Sequence, residues 1–206
     1  MAYELGMNSI GLSSKSESFL KARALVKEDL PALAPCARSR NLYFKKYLEL
    51  IGQYTAKKHQ DLTDTYEQVV VQSIQTQWVQ LGRDHLFLKL KSLCPKIFII
   101  TNETLRTQTA KLTVMDPDGK YFCGMITSEE VGFEKPNPYI FQRALKTAAV
   151  DADQALMIGD SFEKDIQAAD KMGIKSIQTL EFKKNEKKGN VTIHQLDELP
   201  ALLSQL

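Results

Sequence analysis

ALMIGDSFEKDIQAADKMGI, residues 155–174, reads as a short apolar strand that turns directly into a helix. Gly159 permits a tight turn at the junction, Asp160 ends the strand, and Asp165 falls in the first turn of the helix. Gly173 suits the left-handed residue just past the helix end. One or two carboxylates, completed by substrate oxygens and water, is a common way for proteins to hold Mg²⁺. A cation alone performs no reaction, so these two acids raise the question of what they work with.

Outward from this stretch the same alternation recurs. KIFIITN (96–102), YFCGMITS (121–128) and IKSIQTL (174–180) read as further buried strands. Helical patterns cover Thr104 to Leu112, Pro138 to Ala149 and Phe162 to Met172 between them. Strands alternating with helices predict a parallel sheet covered on both faces, an α/β core over residues 94–206. Sites in such sheets form at the carboxyl ends of the strands.

Residues 16–93 are different. SRNLYFKKYLELIGQ (39–53) places Leu42, Tyr43, Tyr47, Leu50 and Ile51 on one stripe, with Ser39 as a possible N-cap and Gly52 near the end. LTDTYEQVVVQSIQTQWVQLG (62–82) repeats the pattern with Tyr66, Val70, Ile74 and Trp78, after a possible cap at Thr63. Aromatics at this spacing are packing residues, and the region predicts a bundle of three or four helices. Residues 1–15 form a separate leading segment.

Composition excludes little. The 206 residues are 43% apolar and 25% charged, with 27 Lys plus Arg against 25 Asp plus Glu. That balance gives no nucleic-acid footprint. The basic cluster KKNEKK (183–188) reads as a solvated loop. Cys36, Cys94 and Cys123 lack metal-site or redox spacing and are expected as buried or free thiols. The N-terminus lacks the pattern of a signal peptide, and no apolar run is long enough to span a membrane, so a cytoplasmic location is expected. Neither substrate nor oligomeric state can be read from the sequence.

Three strand ends carry polar residues suited to chemistry. Thr101 and Asn102 follow the first predicted strand and can donate hydrogen bonds to a phosphate-like oxygen. Lys135, before Pro136 in SEEVGFEKPNPYIF (128–141), supplies a positive charge on a stiffened loop. Asp160 and Asp165 follow the third strand. Each feature is also ordinary turn or cap material on its own. Their conjunction at successive strand ends is what points to one crevice.

IFIITN, SEEVGFEKPNPYIFQRAL and ALMIGDSFEKDIQAADKMGI resemble the second, third and fourth motifs of the haloacid dehalogenase (HAD) superfamily. The likeness runs from about Phe98 to Ile177, and the helical region before it is similar to the cap of these hydrolases. The resemblance implies a Rossmann-like core, a Mg²⁺ site and phosphomonoester hydrolysis through an aspartyl-phosphate. It assigns phosphate binding to Thr101, Asn102 and Lys135, charge neutralisation to Lys135, and the metal to Asp160 and Asp165.

The family's first motif, DxDx[TV], should precede the cap and supplies the nucleophile. Residues 1–18 contain no aspartate, and the first in the chain is Asp29. DLTDT (61–65) has the wrong spacing and no strand before it. In the family the first strand lies between those carrying the second and fourth motifs. Glu4 to Leu12 is the candidate to fill that slot, and pairing there would bring Asn8 and Ser9 near the site. Three readings follow. The chain is a Mg²⁺-dependent phosphatase with an unusual nucleophile, a non-catalytic HAD-like protein binding a phosphorylated small molecule or a protein partner, or a truncated phosphatase. Loss of the nucleophile predicts little or no turnover and reduced Mg²⁺ affinity.

Overall fold

A computed structural model describes residues 2–181 and 189–205. The cluster 183–188 lies outside the described residues. The chain forms two compact units, one of residues 1–83 and 103–118, the other of residues 84–102 and 119–206.

The first unit is helical: α1 (Ala2–Ser9), α2 (Glu17–Glu28), α3 (Arg40–Leu50), α4 (Ala56–Gln80) and α6 (Leu105–Met115). Its core contains Met7, Phe19, Tyr43, Phe44, Tyr66 and Val70. Phe44 meets Tyr66 edge to face at 5.3 Å, and Phe19 meets Tyr43 in the same way at 6.3 Å. The aromatic stripe expected as packing is therefore packing. α4 begins earlier than Thr63, at Ala56, because Thr55 caps it by accepting a hydrogen bond from the Lys58 amide. Thr63 is buried within that helix, and the rejected DLTDT segment is helical too, with Asp61, Asp64 and Thr65 exposed. Ser39 holds the N-cap position of α3 but makes no side-chain capping bond.

The N-terminal segment corrects an expectation. Residues 2–9 form a helix, and the chain leaves it through a turn at Gly11, so Glu4 to Leu12 fills no strand position. Eight residues are too few to hold a helix in isolation. Packing decides instead: Met7 is fully buried, and Gly6 lies directly on Tyr66 and Val70 of α4. Asn8 and Ser9 are exposed on this helix.

The second unit contains α5 (Arg83–Leu93, from Asp84 onward), β1 (Phe98–Thr101), β2 (Gly124–Thr127), α7 (Ser128–Val131), α8 (Pro138–Ala148), β3 (Leu156–Gly159), α9 (Gln167–Asp170), β4 (Lys175–Thr179), β5 (Thr192–Ile193) and α10 (Leu199–Leu203). All strand pairs are parallel, as expected for an α/β core. They form two ladders, β1-β2 and β3-β4-β5. β1 and β3, which carry the second and fourth motifs, are not paired with each other, and among the described residues no strand lies between them. Side chains link the ladders instead. Phe98 and Ile100 of β1, Ile126 of β2 and Met157 of β3 share one apolar cluster with Ile140 and Phe141 of α8 and Ala168 and Ala169 of α9.

The two units do not follow the linear division into 16–93 and 94–206. Leu86 and Leu90 of α5 pack with Ile177 of β4 and Ile193 of β5, so this helix serves the sheet. α6 packs along α4 and joins the helices. Cys36, Cys94 and Cys123 are free thiols, the first two half-buried and the third exposed. No described helix is long and apolar enough to cross a membrane.

Gly6 gives a test of the docking of α1. Helix propensity alone predicts that Gly6→Ala stabilises by about 1 kcal/mol. A Cβ there would lie 2.8 Å from the Tyr66 ring and from Val70. Overpacking costs about 1–3 kcal/mol, so urea unfolding should show Gly6→Ala net destabilised. A variant as stable as the parent would mean that α1 does not dock on α4.

Candidate functional site

The site in the second unit is built at three strand ends. Thr101 closes β1 and is buried, in register with Thr127 of β2. Asn102 follows and turns its carboxamide onto the loop after β2. Its Oδ1 accepts from the Lys135 amide at 2.7 Å, and its Nδ2 donates to the Lys135 carbonyl at 2.9 Å. Nδ2 also reaches Glu134 Oε2 at 3.4 Å. An Asn side chain has two N–H donors, and both are engaged here. Asn102 thus works on the backbone of Lys135, fixing that residue as a paired strand would. The Lys135–Pro136 peptide is cis.

So anchored, Lys135 sends its ammonium inward. Nζ donates to the Ile100 carbonyl of β1 at 2.9 Å and to Asp165 Oδ1 at 2.6 Å. The two side chains are 11% and 6% exposed, so this ion pair is largely shielded from water. The other oxygen of Asp165, Oδ2, accepts from the Ser161 amide at 3.0 Å.

The local fold explains how Asp165 arrives there. Residues 162–166 form a single π-helical turn before α9, where the sequence pattern predicts a regular helix from Phe162. The Asp165 and Ile166 amides both donate to the Ser161 carbonyl. This wide turn carries the carboxylate back over the end of β3; such turns occur often at functional sites. Gly159 is required for the approach, since a Cβ there would sit 2.4 Å from that of Asp165. Gly173 has the expected positive φ, +75°.

Asp160 is half-buried and follows β3 directly. Thr101, Asn102, Lys135, Asp160 and Asp165 all belong to the second unit; Asn102 bonds Lys135, and Lys135 bonds Asp165. The family's metal would draw on this donor set. Among the described residues, no group of three or more His, Cys, Asp and Glu side chains could hold an ion. Both oxygens of Asp165 are already engaged, one by an ammonium. The residues do not fit as a self-sufficient Mg²⁺ site.

Glu134, to which the sequence reading gave no role, is buried beside Asn102. Lys91, also without an assigned role, donates to Cys123 Sγ at 2.9 Å. That hydrogen bond, helped by a backbone one from Ile97, lowers the exposed thiol below its ordinary pKa. The contact spans 32 residues and leaves no local pattern to find.

Two outcomes follow. Lys135→Met leaves the buried Asp165 carboxylate without its cation and should destabilise by about 3–5 kcal/mol. Adding Asp165→Asn should recover part of that loss, and strictly additive denaturation energies would disprove the coupling. A lowered pKa raises the thiolate fraction at pH values below the ordinary thiol range. Iodoacetamide should therefore alkylate Cys123 ahead of Cys36 and Cys94 near neutral pH. Lys91→Met should remove much of that lead, and equal rates for the three thiols in the parent would refute it.

The haloacid dehalogenase-like hydrolase family model matches residues 23–179. A ribulose-1,5-bisphosphate 5-phosphatase of Halopiger xanaduensis is 32% identical over 177 residues, covering 85% of this chain and 72% of the relative. A glyceraldehyde 3-phosphate phosphatase of Pyrococcus abyssi is 35% identical over 96 residues, covering 47% of this chain and 40% of that one. The chain spans about half or less of the length of the glyceraldehyde 3-phosphate phosphatases it matches. Among solved structures, the HAD hydrolase YfnB of Bacillus subtilis, bound to magnesium, superposes with a TM-score of 0.65 at 20% identity, covering 98% of this chain and 89% of that one. At that identity the likeness bears on the fold. The parallel α/β core, the strand-end motifs and the extent of the family match agree, and the chain belongs to the haloacid dehalogenase-like hydrolase family.

Proposed function

We propose that this polypeptide is a HAD-like protein that keeps the phosphate-facing half of a phosphatase site and binds a phosphorylated small molecule with little or no turnover. The observation that carries the reading is the state of Asp165. Its carboxylate is neutralised by Lys135 and capped by the Ser161 amide. No aspartate in residues 1–18 stands ready as a nucleophile, and residues 2–9 are helical.

Each residue has a role in this reading. Thr101 donates its hydroxyl to the phosphate. Lys135, released in part from Asp165, neutralises the incoming charge, and Asn102 sets where Lys135 stands. Asp160 and Asp165 give a divalent cation two ligands at most, and the ion must compete with the Lys135 ammonium for Asp165. Mg²⁺ binding is therefore weak, and bound Mg²⁺ would screen the phosphate charge. A charged ligand held at such a point through charge-assisted hydrogen bonds needs no covalent step.

The phosphatase activities named for the relatives make a phosphorylated small molecule the preferred ligand class over a protein partner. Removing the nucleophile from a covalent hydrolase costs roughly 10⁶-fold in kcat. Hydrolysis of an aryl phosphate with Mg²⁺ should therefore stay at background for both the parent and Asp160→Asn. Turnover by the parent that disappears in Asp160→Asn would overturn the proposal and require another side chain to act as nucleophile.

A further inference from the structure

The first unit contains a partly open pocket of about 200 Å³, lined by α1, α4, α6 and the start of α3. Val70 and Ile74 of α4 supply an apolar wall, and the Tyr3 and Tyr66 rings meet edge to face at its side, 6.3 Å apart. Cavities of about 150 Å³ admit a benzene-sized body, so this one has room for a small organic molecule.

Its polar lining is unevenly satisfied. Arg40 donates from Nη1 to the Arg38 carbonyl at 2.8 Å, and its guanidinium lies 4.9 Å from the Tyr3 ring centre. Glu103 forms a long ion pair with the guanidinium at 4.0 Å, without a hydrogen bond at that distance. Arg40 Nε is buried with no acceptor. Lys111, on the α6 wall, makes no hydrogen bond or ion pair among the described residues. Glu67, the other carboxylate of the lining, is held by Arg106 at 3.1 Å. A buried N–H without an acceptor is costly, and partial burial of an ammonium adds to that cost even with Glu103 as a counter-charge.

We infer that this cavity is a binding site for a small organic anion, whose carboxylate or phosphate head is taken by Arg40 and Lys111 and whose compact apolar body lies against Val70, Ile74 and Tyr66. Burial lowers the Lys111 pKa, Glu103 opposes that, and Arg40 adds to it, so the ammonium lacks the full counter-charge that an anionic head would bring. The site belongs to the helical unit alone and requires neither Lys135 nor Asp165. Tyr3 comes from the N-terminal helix α1, which packs on α4.

Calorimetric titration with benzoate and, separately, with inorganic phosphate tests the inference, with chloride at matched ionic strength as control. Saturable binding of at least one probe with Kd of about 1 mM or tighter is expected. Preference between the two identifies the head group. Lys111→Met should weaken binding about tenfold or more, the usual worth of a charge-assisted hydrogen bond. Val71→Phe, which fills the cavity without changing charge, should do the same. Unchanged circular dichroism melts establish that both variants fold. Absence of saturable heat with either probe overturns the inference. So does binding that both variants leave intact, which would place the anion elsewhere, as at Thr101 and Lys135.

Discussion

The buried pair between Lys135 and Asp165 ties the sheet unit together. Removing two opposite charges from water is expensive, and such a pair persists only when the remaining donors and acceptors are satisfied. Here the Ile100 carbonyl takes the ammonium's second hydrogen bond and the Ser161 amide takes the carboxylate's second oxygen. Those partners come from the end of β1 and the turn after β3, while Lys135 comes from the loop between α7 and α8, beyond the end of β2. Three strand ends are thereby fixed by one contact. Its importance is greater because the two ladders share no backbone pairing. A side chain and an apolar cluster do what a central strand would otherwise do.

That arrangement explains the division of labour at the site. Asn102 was legible as a polar residue after a strand, but a sequence does not say whether its amide faces a ligand or the neighbouring loop. The structure directs both ends of the amide to the Lys135 backbone. In the same way Asp165 was legible as an acid near a helix start. The π-helical turn that swings it over Gly159 leaves no periodic signature, because one widened turn shifts the register of a helix by a single residue.

Four strands and their parallel sense were legible because short apolar runs ending in polar residues repeat along the chain; β5 and the split into two ladders were not. The helices of residues 16–93 were legible as a stripe. Less legible was the choice of partner. Residues 4–12 carry apolar residues at both strand-like and helix-like intervals, and contact of Gly6 with Tyr66 and Val70 resolves the choice from outside the segment. Likewise nothing local says that α6 leaves the strand that precedes it to lie along α4, or that α5 turns from the helices to the sheet.

The interleaving of the two units has a consequence for how the chain acquires its structure. The polypeptide passes from the helices to the sheet at residue 83, returns at 103, and leaves again after 118. During synthesis α1 to α4 emerge first, but the wall of their cavity contributed by α6 follows only after β1 has been made. Neither unit is therefore a contiguous stretch that can mature and be separated from the other. A cut in the 119–123 loop would leave the helices complete while stripping β1 from its partner β2. Two structurally distinct bodies are in this way bound to a single folding history.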